Sequence, residues 1–205
     1  IVGAASTLSD YAERISADKR STLCAGIIER GQYLEHLLTS LAAIAKARTG
    51  ALDGEAVTID LNEHLLGLAS RAHDRAGDRV HIRPGAEPLS VTCDPGTATT
   101  LVFGMLDLAI VHADEEAPVE MSLSGDGAAA VLTVEAPVPA MEAARLVRIA
   151  GQLSDTSLES TPPKADAVLV SAVMEVVAVL GGVLNVSFDE TELRLRLTAR
   201  LPAGG

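Results

Sequence analysis

Residues 20–48 carry one apolar stripe, Leu23, Ile27, Leu34, Leu37, Leu38, Leu41 and Ile44, at three- and four-residue steps. That spacing predicts a helix of about eight turns at 3.6 residues per turn. Thr49-Gly50 supplies its end, and Lys46 and Arg48 fall in the last turn, where cations suit the helix dipole. Residues 1–16 predict a shorter helix with Leu8, Tyr11, Ala12 and Ile15 on one face, and Ser16–Lys19 read as the polar break between the two. Two helices so joined make an antiparallel hairpin. One hairpin cannot cover so long a stripe, whereas a second copy would close a four-helix bundle. The alternative is that the stripe packs on the rest of the same chain.

Beyond the hairpin the pattern changes. Ala56–Ile59 predicts a short strand in a linker, and Asp60 an N-cap for a helix over Leu61–Ala76, with Glu63 completing a capping-box pattern. Val80–Arg83 and Leu89–Cys93 predict strands around Pro84-Gly85, and Asp94-Pro95 caps a helix to about His112. Val119–Ser124 and Ala129–Glu135 flank the hairpin turn Gly125-Asp126-Gly127. Met141–Leu153 and Asp166–Leu180 predict helices, with a loop over Ser154–Lys164 and a stop at Gly181-Gly182. Val183–Phe188 and Leu193–Leu201 predict a closing hairpin. Its last strand sets Leu193, Leu195, Leu197 and Leu201 against Arg194, Arg196 and Arg200, one face buried and one wet. The expected fold class is α+β: a helical hairpin over 1–50, a linker over 51–59, and over 60–205 an α/β sandwich whose mixed sheet is covered on one face by helices.

Two tyrosines, two phenylalanines and no tryptophan leave the core to aliphatic side chains and give no stacking platform for single-stranded nucleic acid. A net charge of −12 repels phosphate backbones and anionic lipid, so neither nucleic acid nor a membrane surface is an expected partner. No apolar run reaches a membrane span; the longest, Ala167–Leu184, contains Glu175. Cys24 and Cys93 lack metal spacing and read as reduced, buried thiols of a cytoplasmic protein. The chain opens at Ile1 without a methionine, so a fragment or processed form is expected.

Several segments, in order, carry a family resemblance: "ERGQYLEHLLTSLAAIAKARTGAL", "VTIDLNEHL", "VTCDPGTATTLVFGMLDLAIVHA", "VLTVEAPVPAM", "KADAVLVSAVMEVVAVLGGVLNV" and "LRLRLTARLP". Together they resemble the transmitter region of sensor histidine kinases: the second dimerisation helix, the entry to a GHKL-type ATPase-like domain, its N-box helix, two glycine boxes and the closing strand. The resemblance implies a homodimer and a response regulator receiver domain as partner, docked at positions such as Thr7, Tyr11, Arg14, Ile15 and Leu23. It places the dimer seam at Leu23, Ile27, Leu34, Leu38 and Leu41. It also places the phosphoacceptor histidine one or two residues before Ile1, so no catalytic residue is visible in the chain.

The departures from that pattern bear on function. The family's Mg²⁺-holding asparagine corresponds to Leu108, which offers no oxygen to a hard cation. Its neighbour Asp107 points about one hundred degrees around the helix. The adenine-reading aspartate corresponds to Ala136, and the first box's glycines to Val138 and Ala140. The second box's glycines correspond to Ala165, Ala167 and Leu169, although phosphate cradling needs bare backbone N–H groups at a helix start. No phenylalanine lies between Met141 and Lys164 to make an F box. The expectation is a two-component pseudokinase or histidine phosphotransferase with no nucleotide, metal or other cofactor. The alternatives are an active kinase with an atypical pocket and a non-enzymatic dimeric scaffold. Of the histidines His36, His64, His73, His81 and His112, His36 reads as an ordinary surface or interhelical residue; His64 and His73, nine apart, cannot share a helix face closely enough for a metal, His64 with Asp60 reads as a solvated turn, and no Ser–His–Asp arrangement has motif support. Asp114-Glu115-Glu116 read as a solvated loop.

Overall fold

A computed structural model describes residues 2–11, 14–49, 55–114, 116–154 and 165–204. The chain divides into two compact units, Ile1–Thr39 and Ser40–Gly205. The first contains helix α1 (Val2–Tyr11) and most of helix α2 (Ala17–Arg48). The break between them lies earlier in the chain than the sequence pattern predicts: α1 ends at Tyr11 instead of running to residue 16, and α2 begins three residues before position 20. Arg14 and Ile15 donate their backbone N–H groups to Tyr11 O at 2.8 and 3.2 Å, and α2 starts at Ala17. Ser16 Oγ accepts from Lys19 N at 3.3 Å, so the expected polar break is instead the N-cap of α2. Within α1 no described residue is buried, and on α2 Ile28, Leu34, Leu38 and Leu41 are all about half exposed or more.

The second unit holds strands β1 (Val57–Asp60), β2 (Val80–Arg83), β3 (Ser90–Cys93), β4 (Val119–Asp126), β5 (Ala129–Pro137), β6 (Val183–Asp189) and β7 (Arg194–Pro202). Its helices are α3 (Leu61–Ala76), α4 (Pro95–His112), α5 (Ala140–Ser154) and α6 (Ala165–Val179). Strands β1 and β3 pair antiparallel by themselves; the main sheet is five-stranded, in the order β2-β4-β5-β7-β6. Only its β2–β4 pair is parallel, so the sheet is mixed as expected.

Alternation decides the two faces of the sheet. Val119, Met121 and Leu123 on β4, Ala130, Leu132, Val134 and Ala136 on β5, and Leu195, Leu197, Ala199 and Leu201 on β7 are all buried. The opposite face is polar. Glu120 and Glu135 are direct cross-strand partners, a like-charge pair that would repel. Arg194 lies between them, 3.1 Å from one carboxylate and 3.8 Å from the other. Arg83 pairs with Glu120 at 3.0 Å, and Arg196 with Glu135. The Arg83 and Arg196 guanidiniums are half exposed or more, and pairs of that kind contribute about 0–1 kcal/mol each, whereas Arg194, Glu120 and Glu135 are mostly covered. Leu193 departs from the expected alternation. It lies outside β7 at φ 53°, half exposed, and Ala199 takes the fourth inward place.

Turn chemistry explains the remaining boundaries. The β4–β5 hairpin turns at Gly127, whose φ of 58° suits glycine, so β4 runs two residues further toward the turn than predicted. After α6, Gly181 has φ 69° and donates to Ala178 O at 2.9 Å, while Gly182 N donates to Val177 O at 2.9 Å. A Cβ on Gly182 would overlap Arg200 O. The predicted loop over Ser154–Lys164 lies outside the described residues except for Ser154, which ends α5. Cys93 is buried as expected, but Cys24 is exposed on α2. No helix among the described residues is long and apolar enough to cross a membrane.

Candidate functional site

Helix α4 organises the site. Asp94 caps it, accepting from Thr97 N at 2.8 Å and Thr97 Oγ1 at 3.0 Å, and Pro95 occupies the first turn, where its missing N–H costs nothing. Its buried residues include Leu101, Val102, Phe103, Met105, Leu106, Asp107, Leu108, Ala109 and His112, so nearly every side of it is interior. It packs on β4 and β5 beneath and on α3 and α6 beside it. A Cβ on Gly104 would reach 3.4 Å from Val173 Cγ2, so the backbones of α4 and α6 lie close.

The residues that the sequence resemblance matches to nucleotide contacts fall on α4 and on its neighbouring elements. Leu108 on α4 is 1 % exposed, Ala136 at the end of β5 is 0 %, Val138 beyond it is 2 %, and Leu169 on α6 is 2 %. They are hydrocarbon within the core. Asp107 is also buried, although the helical period alone placed it to one side. Ala140, the first residue of α5, is exposed, and Ala167 is half-buried. Ala165 begins α6, and the surroundings of its side chain lie outside what the structure describes. Among the described residues no group of three His, Cys, Asp or Glu could hold a metal ion.

The same place contains a charged cluster that spacing did not reveal. His112, at the end of α4, is 5 % exposed through its side chain. Its Nδ1 lies 3.7 Å from Glu142 Oε2 on α5, and its Nε2 lies 3.8 Å from Asp166 Oδ1 on α6. Arg145 pairs with Glu142 one turn earlier and with Asp166 Oδ2 at 3.0 Å. Among the described residues neither His112 Nε2 nor Arg145 Nε has a hydrogen-bond partner. Burial pushes the imidazole below its ordinary pKa of 6.5, outweighing the pull of Asp166 and Glu142 toward the charged form. The loop after α4 is tied to the end of β5 through Asp114 N to Pro137 O at 3.4 Å. Glu142 and Arg145 are visible in the sequence as an i,i+3 pair, but nothing local links them to a histidine thirty residues upstream.

His64, expected in a solvated turn with Asp60, is half-buried on α3, and its Nε2 hydrogen-bonds Thr99 Oγ1 at 3.1 Å. His73 sits near Asp78 at 3.5 Å on the surface. His81 is exposed on β2, and His36 lies in α2, its side chain outside what the structure describes. The positions expected to meet a partner lie in the first unit. Tyr11 and Arg14 are exposed, while Thr7, Ile15 and Leu23 are half-buried. On the expected dimer seam Ile27 is half-buried, and Leu34, Leu38 and Leu41 are 50 %, 67 % and 49 % exposed.

No protein-family model matches the chain, and no curated protein matches it. Solved structures do. The ATP binding domain of PrrB from Mycobacterium tuberculosis is 17 % identical with a TM-score of 0.54, covering 74 % of this chain and 100 % of that one. A histidine kinase from Burkholderia phymatum is 17 % identical with a TM-score of 0.56, covering 100 % and 96 %. The Acinetobacter baumannii histidine kinase AdeS is 13 % identical with a TM-score of 0.59, covering 99 % and 93 %. At such identities the likeness is one of fold: the chain has the α+β fold of histidine kinase transmitter and catalytic domains, with the mixed five-stranded sheet of their GHKL-type ATPase domain.

Proposed function

We propose that this protein is a two-component signalling module that binds no ATP, dimerises through the helices of residues 1–50 and docks a response regulator receiver domain there. The observation that carries the reading is the burial of Leu108, Ala136, Val138 and Leu169. A nucleotide needs oxygen ligands for its Mg²⁺, an acceptor for the adenine amino group and open backbone N–H groups for phosphate. Each of those places holds an aliphatic side chain packed in the core. Making room would expose that hydrocarbon at about 25 cal/mol per Å², and these side chains have no polar atom to offset the loss. The residues present do not fit a nucleotide, and no step is routed through one.

The helical part keeps what the α/β part has lost. Leu34, Leu38 and Leu41 leave a line of uncovered apolar surface on α2, of the kind association removes from water. Tyr11, 51 % exposed, is available as an aromatic anchor. If a phosphoacceptor histidine stands upstream of Ile1, phosphate passes between it and a receiver aspartate, with the α/β part as scaffold. Without one, the module acts by binding. Calorimetric titration of receiver domains onto the full chain tests the docking. Tyr11→Ala should weaken binding about thirtyfold, or roughly 2 kcal/mol, with melting nearly unchanged. Unchanged affinity, or affinity lost only together with the fold and the dimer, would overturn the assignment.

A further inference from the structure

The main sheet ends on two unlike edges, β2 and β6. Strand β2 is four residues long with His81 and Arg83 exposed on it, and a short, charged edge discourages the pairing of further strands. Strand β6 is seven residues long, Val183-Leu184-Asn185-Val186-Ser187-Phe188-Asp189, with no basic residue and no proline. Its pairing with β7 is continuous from Val183↔Arg200 to Asp189↔Arg194, so no bulge turns this edge away. The ladders fix which main-chain groups of β6 face outward. Val138 N donates to Leu193 O and Ala203 N to Ala128 O, so alternate residues from Leu193 onward direct their main-chain groups at β5, and Arg194, Arg196, Thr198 and Arg200 direct theirs at β6. The β6 partners of those four are Asp189, Ser187, Asn185 and Val183. The N–H and C=O groups of Leu184, Val186 and Phe188 therefore point away from the sheet, and among the described residues no backbone group bonds them.

Side chains beside the edge set what fits there. On the inner face Val186 is buried and Leu184 and Phe188 are half-buried, while Val183, Asn185 and Ser187 on the outer face are exposed. An added strand sets alternate side chains on the two faces, so a segment that alternates apolar and polar residues matches both. Charge selects its end. Strand β6 runs into Asp189, Glu190 and Glu192, and the arginines that follow, Arg194 and Arg196, are already paired with Glu120 and Glu135. A second copy of β6 carries no cation to set against those carboxylates, whereas a basic segment is drawn to them and to a chain of net charge −12. We propose that the β6 edge is a docking site for an extended segment of a partner protein that alternates apolar and polar residues and carries lysine or arginine at the end lying beside Asp189, Glu190 and Glu192. Leu184, Val186 and Phe188 supply the main-chain hydrogen bonds, and the acidic turn selects the basic end. The site lies wholly in the α/β unit and does not depend on the docking proposed for residues 1–50.

The test titrates synthetic peptides, blocked at both ends, into the full chain and follows backbone amides by NMR. Antiparallel addition, the more stable sense, puts the basic residues first, so the probe is Lys-Arg-Val-Thr-Val-Thr-Val. Two controls replace Lys-Arg with Glu-Asp, or methylate the valine nitrogens that would donate to β6. With the probe, the Leu184, Val186 and Phe188 amides should shift and exchange at least about tenfold more slowly, with the β2 amides unchanged. Methylation and the acidic opening should each weaken binding at least about tenfold. Glu190→Lys together with Glu192→Lys, at two exposed positions, should reverse the preference between the basic and acidic peptides. No saturable shift at millimolar probe would overturn the proposal, as would equal affinity for the two openings or shifts that map away from β6. So would protection of Leu184, Val186 and Phe188 that grows with protein concentration alone, which would assign the edge to a second copy.

Discussion

Leu108→Asn places an amide where the proposed correspondence sets the kinase family's Mg²⁺-holding asparagine, and it separates a repairable pocket from a packed core. Leu108 is 1 % exposed on a helix with interior contacts on nearly every side. Fully burying a leucine side chain is worth about 1.5–3 kcal/mol, which the substitution forfeits. The new amide, similar in shape but smaller, is buried without a designed partner at a further cost of about 1–3 kcal/mol. The sum is a loss of roughly 2.5–6 kcal/mol. At about 2–4 °C per kcal/mol for a chain of this size, melting should fall by on the order of 10 °C. Urea unfolding should move its midpoint with an unchanged slope, and titration with Mg-ATP should still give no saturable heat. A variant within about 1 kcal/mol of wild type that now binds Mg-ATP would refute the reasoning, because it would mean that position 108 borders a cavity open to ligand.

Two further outcomes bear on the dimer and on the packing of the α/β part. Leu34→Glu puts a charge on the uncovered stripe of α2, which is exposed in a single chain but buried and unpaired in a dimer; sedimentation should show a dimer for wild type at micromolar concentration and a monomer for the variant, with the melting of the α/β part retained. Gly182→Ala should destabilise by about 1–3 kcal/mol, since its Cβ would overlap Arg200 O and lie 2.8 Å from Leu201 Cδ2, whereas Gly151→Ala, with nothing within 4 Å, should gain up to ~1 kcal/mol in its helix.

The fold was largely legible because its signals are local. Asp60 and Asp94 mark helix starts, Gly77 and Gly181-Gly182 mark ends, and alternation on β5 and β7 separates an inner face from an outer one. Misplacements occur where local preference is weak or overridden. Leu193 looks like another inward residue, but a left-handed turn takes it out of the strand. The Gly125-Asp126-Gly127 turn closes two residues later than its composition suggests, since only Gly127 needs positive φ. The site was legible in part. Leu108, Ala136, Val138 and Leu169 stand out in the sequence only through the order of the resembling segments, and packing reveals that they belong to the core. The cluster of His112, Glu142, Arg145 and Asp166 could not be read, because it joins three helices through contacts that span up to fifty-four positions of sequence.

We propose that the place where the resemblance sets a nucleotide pocket is filled with the protein's own core. Calorimetric titration of the full chain with ATP and ADP at millimolar concentration and excess Mg²⁺, beside thermal melts with and without nucleotide, tests it most directly. No saturable heat and no shift in melting are expected. Saturable binding with a matching rise in melting temperature, as any ligand preferring the native state must produce, would contradict it.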